Sequence, residues 1–306
     1  MTNATVEKAP IEGSGLGRRS LAHRVGTGAA AAAAVAALAG GGLAVTSVPA
    51  QAQGITDADI FNFALNLEYL EAEFYLRAVT GQGLAAGDTT GSGTAGGVTG
   101  GRAVPFRAEY VRQYAAKIAI DEQAHVKFIR AVLGSAAVAR PAIDFTTAFT
   151  TLARAAGLIN NTQTFDPFAD DVSFLLGAFV FEDVGVTAYG GAANLITNRD
   201  LVAYAASVLA VEAYHAGAVR TLLANLGGGA TVNNITRLRA QLSGANDEVG
   251  ILVPNSPYSM YNFAPTDSQS QTFRRSPRQV LNIVYGAQNA PSGLFFPAGM
   301  NGTITS

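Results

Sequence analysis

The chain has 306 residues with 20 basic and 22 acidic side chains, three histidines and no cysteine. So mild a charge balance, without a basic cluster, argues against a nucleic-acid partner. Lack of cysteine excludes disulfides and thiolate chemistry, so any metal must be held by oxygen and nitrogen donors, which suit Fe, Mn or Zn.

Arg18-Arg19 opens a run that is apolar and alanine-rich from about Gly26 to Val45, and Ala50-Gln51-Ala52 places small residues at −3 and −1 of a cleavage point. This pattern reads as a twin-arginine or general secretory signal over 1–52. A membrane anchor would want a Leu/Ile/Val-rich span of about 20 residues, and this stretch is mostly Ala and Gly. The expectation is an exported protein (periplasmic, cell-envelope or extracellular) with no stable membrane anchor after cleavage. Roughly 250 residues then remain, enough for one large domain or a bundle with an appendage.

From Asp57 to about Gly81 the apolar positions Ile60, Phe63, Ala64, Leu67, Leu70 and Phe74 recur at helical spacing, with Thr56 or Asp57 as N-cap and Gly81 as stop. The segment 81–101, nearly all Gly, Thr, Ala and Ser, reads as a mobile surface loop that buries no core. A second helix follows Pro105 and runs to Leu133, closed by Gly134. The long link 135–167 holds a short helix over Phe145–Ala156. A third helix covers about Phe168 to Leu195 and a fourth about Asn198 to Leu226, ended by Gly227-Gly228-Gly229. The spacing predicts an all-α four-helix bundle over 53–229 with a long crossover between its second and third helices. An irregular C-terminal extension, 230–306, carries short helices over Asn233–Leu242 and Ser276–Tyr285. Its end bears Phe295 and Phe296, too sticky to hang free, and should pack on the bundle or on another subunit of a homo-oligomer.

Beyond the leader only two histidines remain, each three residues after a glutamate: Glu122-Gln-Ala-His125 and Glu212-Ala-Tyr-His215. Positions i and i+3 share a helix face, so each pair aims a carboxylate and an imidazole at one point. The two other helices each carry Glu-x6-Tyr: Glu68 with Tyr75, and Glu182 with Tyr189. The bundle thus reads as an internal repeat, Glu68 with Glu122/His125 and Glu182 with Glu212/His215, the ligand set of a dinuclear carboxylate centre. Seven residues is nearly two turns, which places each tyrosine roughly 10 Å along the axis on the ligand face. There it can hydrogen-bond a ligand or a bound water, or act as a redox-active neighbour, so Tyr75 and Tyr189 are the candidate catalytic residues. Glu71 is an alternative or bridging ligand to Glu68, and Glu73 should face outward. Asp121 and Asp183 point elsewhere, Asp183 being able to orient a histidine or to form a plain salt bridge. Four buried glutamates repel one another, and two divalent ions, Fe or Mn, are the simplest neutralisation.

The stretches Phe63–Tyr75 (FALNLEYLEAEFY), Asp121–His125, Phe181–Asp183, Val280–Gly286, Phe295–Pro297 and Gly299–Gly302 resemble the ferritin-like, desiccation-related proteins of bacteria and plants. The resemblance spans essentially everything after the leader. It implies a ferritin-like bundle with metal ligands at Glu68, Glu122, His125, Glu182, Glu212 and His215. It names no reaction. Three functions compete: a dimetal oxidase, peroxidase or manganese-catalase-like enzyme acting on peroxide or dioxygen; iron storage; and a non-enzymatic protein that protects during drying, with metal as a structural clip. The long loop and extension would obstruct a storage cage.

Overall fold

A computed structural model describes residues 54–252 and 261–306; the expected leader lies outside the described residues. Among the described residues seven α-helices follow in chain order: α1 (Asp57–Thr80), α2 (Glu109–Leu133), α3 (Thr147–Ala155), α4 (Asp171–Ala192), α5 (Arg199–Asn225), α6 (Gly229–Ser243) and α7 (Pro277–Tyr285). Thr56, and not Asp57, caps α1: its hydroxyl accepts from the Asp59 N–H while the Asp59 carboxylate takes the Thr56 N–H. Gly81, at φ 77°, closes the helix in the left-handed conformation. Helix α4 starts three residues later than its apolar pattern suggested, because Asp170 supplies the cap by accepting from Ser173 N–H.

Helix α1 packs along α2, and α4 along α5, with α1 against α4 and α2 against α5 completing the bundle. Residue pairs give the directions. Val104 N–H bonds Ala78 O at one end of α1 and Asn62 bonds Ala136 O at the other, so α1 and α2 are antiparallel. Tyr75 meets Glu182 and Tyr189 meets Glu68, so α1 and α4 are also antiparallel. Helices α2 and α4 therefore run the same way, and the chain between them must travel the length of the bundle, roughly 35 Å for a 25-residue helix. This is the long crossover, and α3 rides within it. Helix α4 is apolar all round and buried almost throughout, as a central helix must be.

One part of the bundle is closed by an aromatic cluster centred on Phe74. Its ring lies 5.2–5.8 Å from those of Phe145, Phe149, Phe168, Phe174 and Phe181, binding the crossover to α1 and α4. Phe295 enters the same cluster, 5.0 Å from Phe149 and 4.9 Å from Phe181, and both Phe295 and Phe296 are fully buried. The tail thus packs on its own bundle.

The glycine-rich segment lies at the surface, as composition led one to expect, and its backbone is paired with the crossover. It lies in parallel beside the crossover, with a two-residue ladder between β1 (Val98–Thr99) and β2 (Ile143–Asp144). Backbone bonds join Ser92 N–H to Ala137 O, Gly96 N–H to Arg140 O and Ile143 N–H to Gly97 O. Its small residues serve close approach: a Cβ at Gly96 would lie 2.1 Å from the Ala142 nitrogen. It also covers Glu73, which is fully buried between Arg77 and Arg140 and does not face outward.

Asp183 takes the second of the two roles open to it. Its carboxylate accepts from Arg220 at 2.9 Å and Arg239 at 2.6 Å. Arg239 also holds Glu248 (2.7 Å), which Arg275 shares with Asp247 (2.6 and 2.8 Å). Three buried arginines thus balance three buried acids and lock the C-terminal extension onto α4 and α5. Burial opposes the Asp183 charge, but Arg220 and Arg239 prevail and hold its carboxyl at about 2.

Candidate metal centre

Glu68 comes from α1, Glu122 and His125 from α2, Glu182 from α4, and Glu212 and His215 from α5. All six meet in the bundle interior, the glutamates at 1% exposure or less. Their donor atoms form two overlapping groups, each within 4.8 Å: Glu68, Glu122, His125 and Glu212; and Glu122, Glu182 and His215. Glu122 belongs to both, and Glu212 groups with Glu68 and His125 instead of with its own helix's histidine. His125 Nδ1 lies 3.2 Å from Glu68, 3.3 Å from Glu212 and 3.6 Å from Glu122. His215 Nδ1 lies 2.9 Å from Glu122 and 3.6 Å from Glu182.

The two tyrosines act crosswise. Tyr75 of α1 donates to Glu182 of α4, and Tyr189 of α4 donates to Glu68 of α1. Because these helices run antiparallel, a glutamate on one is level with the residue seven places further along the other, which accounts for the repeated Glu-x6-Tyr spacing. Burial and the facing carboxylates push both phenols well above their ordinary range, so they stay protonated and donate. Each fixes Oε1 of its glutamate and leaves Oε2 without a partner.

Glu71 is buried beside the centre but belongs to neither group. Its counterpart on α4, three residues after the ligand, is Gly185. A Cβ there would lie 2.6 Å from Glu212 Oε2 and 3.3 Å from Glu71 Oε1, so the glycine makes room for both carboxyls. Burial and the neighbouring Glu212 raise Glu71 well above the carboxylate range.

Asp121 is the participant that sequence reasoning sent elsewhere. It precedes Glu122 by one residue, about 100° around α2, which turns it toward α5. There His215 Nε2 lies 3.0 Å from its Oδ2, with Lys117 paired to the same carboxylate. The signal was available in the neighbouring helix, where the corresponding residue is Val211.

The electrostatics are those of a cation site holding protons. Burial and the charges of Glu122 and Glu212 outweigh His125 and push Glu68 up to about 8. Burial works against an imidazolium, yet Glu122 and Glu182 raise His215 to about 10, and Glu68 and its neighbours raise His125 further. Glu122, between both imidazoles, is held at about 2 in spite of burial.

Eight buried atoms of these six residues have no hydrogen-bond partner: Oε2 of Glu68 and Glu182, both oxygens of Glu122 and Glu212, and Nδ1 of both histidines. Imidazole and carboxylate atoms come within ion-pairing distance of one another there without hydrogen-bond geometry. Buried polar atoms are normally satisfied, and orphans cost about 1–3 kcal/mol each. Oxygen and imidazole donors so arranged fit divalent Fe, Mn or Zn.

The Ferritin-like domain family matches residues 56–225. The chain is 30% identical over 271 residues to the Desiccation-related protein PCC13-62 of Craterostigma plantagineum, covering 82% of this chain and 85% of that one. It is 27% identical over 270 residues to the Ferritin-like catalase Nec2 of Nesocodon mauritianus, covering 81% and 84%. Fold and similarity agree, and the chain belongs to the ferritin-like domain family, among its desiccation-related members.

Proposed function

We propose that this protein binds two divalent ions, Fe or Mn, with Glu68, Glu122, His125, Glu182, Glu212 and His215, and uses them to handle hydrogen peroxide or dioxygen. The observation that carries this reading is the set of eight buried carboxylate and imidazole atoms without hydrogen-bond partners, on six residues whose donors fall in two overlapping groups within 4.8 Å. Two ions held there supply paired redox equivalents and Lewis acidity to an O–O unit. The protein's part is placement: Tyr75 and Tyr189 anchor Glu182 and Glu68, while the histidines present Nδ1 lone pairs once their protons leave. Glu122, shared by the two groups, and Glu212 keep the positions adjacent.

The neighbourhood of Tyr189 is apolar. Beside Tyr189 is an apolar cavity of about 20 Å³ lined by Phe63, Leu67, Ala188 and Ala192, room for about one water-sized molecule. Similarity to a protein named a ferritin-like catalase supports disproportionation of peroxide in particular. Protein loaded with Mn or Fe should evolve oxygen from hydrogen peroxide or oxidise its metal. The absence of both would refute the enzyme reading.

A second reading is favoured by the similarity to a desiccation-related protein: metal as a structural clip in a protective protein. Replacing Glu122 and His125 by alanine separates the two, since a clip loses only thermal stability and an enzyme loses turnover as well. We also propose export, on the Arg18-Arg19 and Ala50-Gln51-Ala52 pattern. Mass spectrometry of protein from the producing cell should find residue 53 at the new N-terminus, and an intact leader on the accumulated protein would refute it.

A further inference from the structure

The outer face of α5 is not that of a solvated helix. From Leu201 to Ala224 its only acidic or basic side chains are Glu212, His215 and Arg220, and all three are buried. What α5 exposes there is alanine, serine, threonine and one aromatic, Tyr214. Surface helices normally turn charged residues to water. Helix α5 is as long and apolar as a membrane span, yet 33% of its apolar stretch is buried, against 89% for α4. Ala210, Ala213 and Gly217 share one side of the helix and floor a groove of about 550 Å³. Its ridges are Tyr114 of α2, Phe263 of the extension and Tyr214, which are 47%, 63% and 78% exposed.

We propose that two copies of this chain pair through this face, α5 against α5 about a two-fold axis. Self-complementarity is the first argument. A two-fold interface sets one patch against itself, so the patch must carry both knobs and hollows, and this one has aromatic ridges beside a floor of small residues. Small residues let two helices approach to about 8 Å, and aromatic rings seated in a partner's pocket are the usual anchors of an interface. Area is the second. The 27 residues of α5 at about 1.5 Å each give a face about 40 Å long. With the ridges on either side it is about 20 Å wide, so each copy brings roughly 800 Å², the size of a standard stable interface. Charge is the third. Lys117 and Asp121, one and two turns beyond Tyr114 on α2, neutralise each other, so facing copies meet no like-charge repulsion. A lipid surface would call for lysine or arginine bordering the apolar face.

Sedimentation velocity of the purified protein over a range of concentrations tests this, and the wild type should run as a dimer. Ala210→Glu puts a carboxylate into the groove from both sides at little cost to the helix, and should give a monomer with unchanged far-ultraviolet circular dichroism. Tyr214→Ala removes a ridge and should raise the dimer's dissociation constant about 30-fold or more. Because the chain has no cysteine, a single introduced thiol gives a separate readout in an otherwise native protein. Ala213→Cys treated with a short bismaleimide should be joined in pairs, while Ile120→Cys, exposed on α2 outside the groove, should not. A wild type that stays monomeric, a dimer that neither Ala210→Glu nor Tyr214→Ala weakens, or a monomer that co-sediments with phosphatidylcholine vesicles would overturn the inference.

Discussion

If the six ligands exist to hold cations, the metal-free core is strained by its own charge, and removing one charge should stabilise it. Glu212→Gln is the sharpest case. Both of its oxygens are buried without partners, and burial together with Glu122 raises its carboxyl above the ordinary range. An amide removes the negative charge and offers donors to Glu122 and Glu71. Relieving one orphaned acceptor is worth about 1–3 kcal/mol. For a domain of this size that raises Tm by about 2–10 °C. The same change removes a ligand, so the gain that metal confers, about 2.7 kcal/mol per site at a hundredfold excess over Kd, should shrink sharply. Thermal unfolding with chelator and with Mn²⁺ measures both halves. A variant less stable than wild type without metal, yet fully stabilised by metal, would refute the reasoning.

The pH response follows from the same cluster. In the metal-free protein Glu68, at about 8, and His215, at about 10, bind protons more tightly than in the unfolded chain. Their contribution is fully present below their unfolded values, near 4.5 and 6.5, and is lost as pH rises through the folded values. Urea midpoints in chelator should therefore fall from pH 5 to pH 9, while the stabilisation conferred by metal grows as protons leave the ligands; a rising midpoint would contradict this. Phe295→Ala removes a ring packed on Phe149 and Phe181 and should cost about 3–5 kcal/mol, measured by urea unfolding. Asp183→Ala leaves Arg220 and Arg239 buried without their shared acid, a loss of about 3–5 kcal/mol that should also free the C-terminal extension to limited proteolysis.

How much of this was legible in the sequence depended on whether a residue's partner lies on its own helix or across the bundle. Apolar spacing and caps located the four long helices, and the i, i+3 rule placed His125 with Glu122 and His215 with Glu212. The crossed tyrosine bonds needed the antiparallel packing of α1 and α4, which no single helix reveals. Asp121 and Asp183 illustrate the limit: both precede or follow a ligand by one residue, and only the neighbours, a histidine for one and two arginines for the other, give them different tasks. Composition put 81–101 at the surface but could not show its backbone pairing with the crossover, which glycine permits by close approach. Glu73 was misplaced because the arginine that buries it, Arg140, belongs to that crossover.

The central claim is a two-ion centre in each chain, and metal analysis of the native protein tests it most directly. Protein purified without added chelator should carry about two Fe or Mn ions per chain, falling below one when Glu122, the glutamate shared by both groups, is replaced by alanine. Trace metal in the native protein, with no uptake of Fe or Mn on reconstitution, would contradict the account.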